Sequence, residues 1–386
     1  MSSALEDPTK GRQHQPITEE AVEELRRRIG EKISPQPDPW NYEATWDTIR
    51  HFAHGAGDDN PLFCDPEYAK TTQYGDIIAP PSFLFSCSRV VSGWLGGLPG
   101  VHAMYGGTEF EFHRTVRRGD SIHTEAWLDD VSEKNTKFAG RSIIQTYRVE
   151  FFNQQDQLVA QGKSWFFRTD RDSTRRRNEK YQDIEKMRQH VYSDEELAPV
   201  YRLYDEERIR GAAPRFWEDV KVGESLPRMA KGPMTVSGFI AFTQGWGGIY
   251  VRSNKIAYNM MKHHPALGIK NRFGIPDNPE RVHWETDFAL EVGAPGAFDY
   301  GPERGSWFMH QITNWMGDDG FLVFHTYKIR RHNPEGDLLL IDAKVTRKFE
   351  EAGRKLVEIE QIAHNQNDEL SALATGRVVL PTRGSL

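Results

Sequence analysis

Cysteine is scarce in this chain. Cys64 and Cys87 are the only two in 386 residues, and neither stands in a Cys-x-x-Cys or Cys-x-x-His spacing. No disulfide scaffold or zinc knuckle is indicated, and a reduced, cytoplasmic setting is expected. Long apolar runs are missing as well. No stretch approaches the length needed to span a bilayer, and Met1 to Pro16 is polar and charged without an apolar core, so neither membrane insertion nor secretion is expected. Nor is there an excess of positive charge. The net charge of −7 and pI near 6.1 argue against nucleic acid or an anionic membrane as partner, while leaving room for a local basic pocket. Neither a complete P-loop nor a G-x-G-x-x-G run is present, which removes the usual signatures of a nucleotide cofactor.

What the chain does contain is length for two domains and a programme that runs twice. Thr18 to Ile33 reads as an amphipathic helix stopped by Pro35, Pro37 and Pro39. From Ala44 a helix ends in Gly55-Ala-Gly57-Asp58-Asp59-Asn60-Pro61, a short helix spans Pro66 to Lys70, and an apolar helix is expected over Ser82 to Trp94. Four alternating segments then read as antiparallel strands: 107–115, 121–131, 141–153 and 158–168. Residues 169–213 read as a polar linker with helical content in which Arg175, Arg176 and Arg177 form a solvated surface. From Val236 the order repeats. Ala69 to Pro81 and Ala289 to Gly301 are both 12 positions apart, and Gly119 to Gly162 is 43 against 40 for Gly336 to Gly376. The expected organisation is a helical extension over 1–38, a first domain over 39–168, the linker, and a second domain over 214–386 carrying an insertion at 249–275.

One segment of the second domain concentrates chemistry. A loop, Asp277-Asn278-Pro-Glu-Arg281-Val-His283, leads through a helix of about a dozen residues to Asp299-Tyr300-Gly301-Pro302-Glu303 at the start of an aromatic-rich helix. A histidine is largely neutral at physiological pH and can accept and return a proton. A Gly-Pro helix start offers unsatisfied N–H groups and close backbone approach to a polarised oxygen.

Phe52-Ala-His-Gly-Ala-Gly57-Asp58-Asp59-Asn60-Pro61 with Ile77-Ile-Ala-Pro-Pro81 resembles the N-terminal half of the MaoC-like acyl dehydratases and (R)-specific enoyl-CoA hydratases. Asn278 to Ala289 with Tyr300-Gly301-Pro302-Glu303-Arg304 resembles their C-terminal half. The resemblance covers most of the chain beyond Pro39. It implies an α+β double hotdog fold, two tandem domains each wrapping an antiparallel sheet around a central helix. It also implies hydration of a 2-enoyl thioester or dehydration of a 3-hydroxyacyl thioester, with acyl-CoA as partner and no metal or redox cofactor. A homo-oligomer is expected.

In that family a loop Asp-x-Asn-Pro-x-His holds water, and a helix-start glycine N–H binds the thioester carbonyl. The first domain keeps Asp58 and Asn60-Pro61 but has Phe63 for the histidine and Pro81, which has no N–H, for the glycine. It is expected to be structural and substrate-enclosing, with Asp58 either contributing across the interface or capping a turn. In the second domain the resemblance makes His283 the acid/base and Gly301 the oxyanion donor. Asn278 stands where aspartate is expected, with Asp277 as the adjacent alternative for orienting water. Arg281, Arg304 and Tyr300 are candidate substrate contacts, and Arg304 with Glu303 is an alternative structural pair. His310 is read as a core histidine, and His263 with His264 lack a third ligand for a metal. Two rivals stay open: a thioesterase using Asp58 or Asp299, and a non-catalytic acyl-binding subunit of a hydratase complex.

Overall fold

The computed structural model of the chain describes residues 17–384 apart from 95, 99–101, 137–139 and 170–190. The linker arginines 175–177 lie outside the described residues.

Helix α1 (Glu19–Arg27) starts where the Thr18 hydroxyl accepts the Ala21 N–H, and α2 (Trp46–Gly55) where Thr45 and Thr48 cap reciprocally. The first half continues as four strands: β1 (His102–Phe112), β2 (His123–Thr136), β3 (Gly140–Phe152) and β4 (Leu158–Thr169). A helix over Asp194–Glu206 follows in the linker, then β5 (Met229–Lys231) and helix α3 (Val236–Trp246). The insertion carries a helix over Asn254–His263 and a small hairpin pairing Ile269–Lys270 with Pro276–Asp277. Helix α4 (Gly301–Met316) and strands β6 (Phe321–Ile329), β7 (Leu339–Glu351), β8 (Arg354–Asn365) and β9 (Leu370–Val379) complete the second half.

Nine strands form one antiparallel sheet in the order β2-β3-β4-β1-β6-β9-β8-β7-β5, so the halves join edge to edge at β1 and β6. Gly107 faces Lys328 and Phe110 faces His325 at this seam. Pairing two half-sheets removes the exposed inner edge that each would otherwise present. Helix α2 packs on α3 through two glycines. A Cβ on Gly55 would sit 2.9 Å from Ala241 O and one on Gly245 2.4 Å from His51 O. Hydrophobic residues of both halves form one continuous core.

The halves differ in their central helices. α4 is continuous, and every residue after Gly301 is buried. The helix expected over residues 82–94 is instead a 3-10 turn at Pro81–Ser86 followed by a single turn at Arg89–Ser92. Ser86 donates its hydroxyl to Phe83 O at 2.7 Å, and Ser88 accepts the Val91 N–H at 3.4 Å. These short polar side chains compete for the backbone bonds that a continuous helix would use. The helix expected after His283 is likewise shorter, six residues over Thr286–Glu291, because Gly293 adopts a positive φ beyond its end.

Candidate active site

His283 closes a 3-10 turn over Pro279–His283. Its Nδ1 lies 2.7 Å from Phe298 O. A carbonyl only accepts, so Nδ1 carries the proton and Nε2 keeps a lone pair. The ring stacks on Tyr300 with centroids 3.8 Å apart and meets Phe298 edge-on at 4.5 Å. Some of its surface stays accessible, yet the dense aromatic surroundings disfavour charge. Burial lowers its pKa from 6.5 to about 4, partly opposed by the Phe298 carbonyl. His283 is therefore a neutral imidazole with one fixed tautomer.

Gly301 is the first residue of α4, and Pro302 follows it. Its N–H makes no hydrogen bond among the described residues, as expected at a first helical position. Its carbonyl accepts from the Tyr327 hydroxyl at 2.9 Å. A Cβ here would fall 2.4 Å from the Tyr105 ring, so only glycine fits between the helix start and β1. The Tyr300 N–H donates to Glu303 at 3.2 Å, which ties down the turn. The structure thus brings His283, Tyr300 and Gly301 together.

The other candidates have different tasks. Asn278 caps the 3-10 turn: its Oδ1 accepts the Glu280 N–H at 2.9 Å. Asp277 Oδ1 accepts from the Asn278 backbone and side-chain amides, and Oδ2 accepts from Asn271 at 3.3 Å. Both side chains are thereby engaged in shaping the loop. Arg281 is buried, pairs with Glu285 at 2.6 Å and lies 3.6 Å over the Phe288 ring. Arg304 is buried too, and its partner is Asp299 rather than Glu303. Nε donates to Asp299 at 2.8 Å, Nη2 bonds the second oxygen, and Nη1 donates to Arg331 O at 2.6 Å. Both arginines are thus paired with carboxylates of their own half, Arg281 with Glu285 and Arg304 with Asp299.

Asp58 belongs to a second cluster, just past the middle of α4 at His310. Its Oδ1 accepts the Asn60 N–H at 3.0 Å and stands 3.4 Å from His310 Nε2. His310 Nε2 is also 3.2 Å from Glu207, and Lys231 Nζ is 3.0 Å from Nδ1. Burial pushes the Glu207 carboxyl up, but His310 and Lys231 outweigh it and hold it below the usual range. Asp59, Glu207 and His310 each offer a ligand atom within 4.8 Å of one another, but the Lys231 ammonium already supplies positive charge beside the imidazole. His310, read as a core histidine, is buried and bonds charged groups from the first half, the linker and β5. Helix rise sets Asp58's partner His310 about 14 Å along α4 from Gly301, and the Asp58 carboxylate is engaged by the Asn60 N–H and by His310.

A small, mostly apolar pocket occupies the first half's own site, lined by Phe63 and Pro81 together with Leu84, Phe112, Thr313 and Met316. The signal for it was visible at Phe63 and Pro81, which leave neither a base nor an N–H. Sequence reasoning missed Glu280 and Arg89. Glu280 is buried three residues before His283, with Oε1 taking the Ile249 and Tyr250 N–H groups. Burial raises both thiols, Cys64 and Cys87, to about 12, which makes them poor nucleophiles.

Two half-sheets joined at β1 and β6, each with its own helices, define a double hotdog protein. A MaoC-like dehydratase superposes over 92% of this chain and 100% of its own, with a TM-score of 0.64 at 16% identity. A conserved hypothetical protein of Mycobacterium tuberculosis described as a double hotdog superposes over 91% and 96%, with a TM-score of 0.55 at 10% identity. Residues 27–162 match a family described as FAS1-like, dehydratase domain region. In sequence the chain is 33% identical to a UPF0336 protein of Saccharopolyspora erythraea over 35% of this chain and 85% of that one, and 33% identical to one of Streptomyces avermitilis over 28% and 73%. A probable enoyl-CoA hydratase alpha subunit of Thermomonospora curvata is 30% identical over 35% and 46%. The chain belongs to the family of these UPF0336 proteins. Among the described residues no helix is long and apolar enough to cross a membrane.

Proposed function

We propose that the chain is a hydro-lyase that adds water to a 2-enoyl thioester, or removes it from a 3-hydroxyacyl thioester, with coenzyme A as the carrier. The observation that carries this reading is the pairing of a single-tautomer imidazole at His283 with the unsatisfied Gly301 N–H. In hydration, His283 Nε2 takes a proton from water as the water oxygen bonds to the β-carbon. The double-bond electrons move toward the thioester carbonyl, whose developing negative charge the Gly301 N–H and the α4 dipole stabilise. The imidazolium then returns its proton to the α-carbon, so no proton is lost or gained overall. Dehydration is the reverse.

No carboxylate is required to share the proton, since one imidazole serves both transfers. The first half, with its cavity, supplies apolar enclosure. The thioesterase rival loses support because Asp299 is committed to Arg304 and Asp58 to His310. His283→Ala should lower hydration of enoyl-CoAs by about 10²–10⁴-fold, the usual contribution of a positioned acid/base. Unchanged turnover by a folded variant would sink the reading.

A further inference from the structure

Arg89 stands out among the buried arginines. It is 2% exposed, on the one-turn helix of the first half. Nε donates to Asp38 O at 3.2 Å, yet Nη1 and Nη2 have no hydrogen-bond partner among the described residues. Across from it Glu280, 6% exposed, spends Oε1 on two backbone N–H groups and leaves Oε2 without a partner. Each side chain feels the other's charge, but no hydrogen bond joins them. Arg252 is the further cation nearby: the guanidinium groups of Arg89 and Arg252 lie 5.8 and 6.0 Å from the Trp40 ring centroid. The Asp38 carboxylate is exposed and accepts from the Tyr42 hydroxyl at 2.9 Å. Two guanidinium groups thus meet one buried carboxylate, Glu280, while the second carboxylate acting on Arg89, Asp38, stays in solvent.

This place adjoins the His283 site. Glu280 and His283 share one 3-10 turn. Ser92, on the Arg89 turn, accepts from Trp246 Nε1 at 3.1 Å, and the Trp246 ring lies 5.0 Å from Tyr300, which stacks on His283. A buried guanidinium with two open nitrogens is expensive to leave unpaired, and its planar fork matches a carboxylate.

We propose that the acyl group of the substrate carries a carboxylate, received by Arg89 with Arg252 and Glu280 beside it. This rests on the hydro-lyase reading for the thioester end and adds the chemistry of the other end. Arg89 keeps its charge at neutral pH, although burial lowers its pKa to about 10. Arg281 and Arg304, the arginines that sequence singled out, are spent on Glu285 and Asp299, which leaves this role to a residue of the opposite half.

The test compares short 2-enoyl-CoAs of graded length, each with a terminal methyl and with a terminal carboxylate in its place. Wild type should favour the carboxylated member of the best pair by about 10- to 100-fold in kcat/KM, as expected for hydrogen bonds to a charged group. Arg89→Gln should erase that preference mainly through KM, and Arg89→Lys should restore part of it. Binding of the same pairs to the His283→Ala protein, measured by calorimetry, separates the two ideas and does not require an Arg89 variant to fold. Hydration of both members with no preference for the carboxylate would overturn the inference and leave the hydro-lyase reading standing. Tighter binding of the carboxylated member without turnover of either would support the inference and overturn the reaction. Equal binding of both would mean that only ordered water meets Arg89, and the inference would fall.

Discussion

Gly301→Ala tests steric fit and catalysis with one methyl group. The new Cβ would lie 2.4 Å from Tyr105 Cδ1 and 2.5 Å from Cγ, well inside van der Waals contact. Tyr105 has little room to withdraw. Its ring packs edge-on to Phe166 at 5.1 Å, and its hydroxyl bonds Val91 O at 3.2 Å. The helix start must therefore shift by a good part of an ångström, an overpacking cost of about 1–3 kcal/mol. The same shift moves the Gly301 N–H off the thioester oxygen. Misplacing such a donor costs about 10²–10³ in kcat by the precedent of lost oxyanion donors. Thermal unfolding gives the first quantity, and steady-state hydration well below the variant's Tm gives the second. A variant with a lowered Tm and wild-type kcat would show that the Gly301 N–H does not hold the reacting oxygen.

The remaining predictions probe charge. Arg304→Met should destabilise the fold by about 3–5 kcal/mol, because it strands the buried Asp299 carboxylate, and denaturant unfolding would check it. Asp58→Ala removes the acceptor for the Asn60 N–H and a partner of His310, so it should lower stability by about 1–3 kcal/mol while leaving kcat unchanged. A large fall in kcat with normal stability would return Asp58 to the catalytic site. His283 and the buried His325 both have pKa values lowered by burial from 6.5 to about 4. The unfolded chain takes up protons as pH falls through 6.5 while the folded chain does not, so their stabilisation is present above that value and lost on the way down to about 4. The loss approaches about 3 kcal/mol for His325 and is smaller for the partly accessible His283. Tm against pH should be flatter in His283→Gln over this window, and kcat/KM should show no inflection near 6.5.

The fold was legible where local chemistry repeats. Asn153 and Asp156 in the first half, and Asn365 and Asp368 in the second, build the same hairpin turn. In each, the asparagine Oδ1 accepts two backbone N–H groups, and the aspartate takes a positive φ, 57° and 59°. Such turns are set by side chains within a few residues of one another, so sequence alone exposes them and with them the register of the strands. The broken helix at Ser86–Ser88 was not visible in this way, because apolar spacing continues through it and only the competition of the serine hydroxyls decides against a regular helix.

The site was legible in its backbone parts and illegible in its charges. Gly301-Pro302 announces a helix start in any context, and His283 was placed by its distance from that start. What an arginine does depends on which carboxylate tertiary packing brings to it, and no spacing reveals that. Arg304 and Asp299 are five residues apart, yet the pair is buried only because β9 supplies Ser371 and the β6–β7 loop supplies Arg331 O and Asn333. Arg89 is the converse. It looked like part of an apolar helix, and only the approach of Glu280 from the other half shows a buried cation with two nitrogens to spare. An aspartate was expected at Asn278 because the family loop uses one; here the asparagine amide caps the turn that carries His283. The charge that the loop lacks at 278 is present two residues later at Glu280, which faces Arg89.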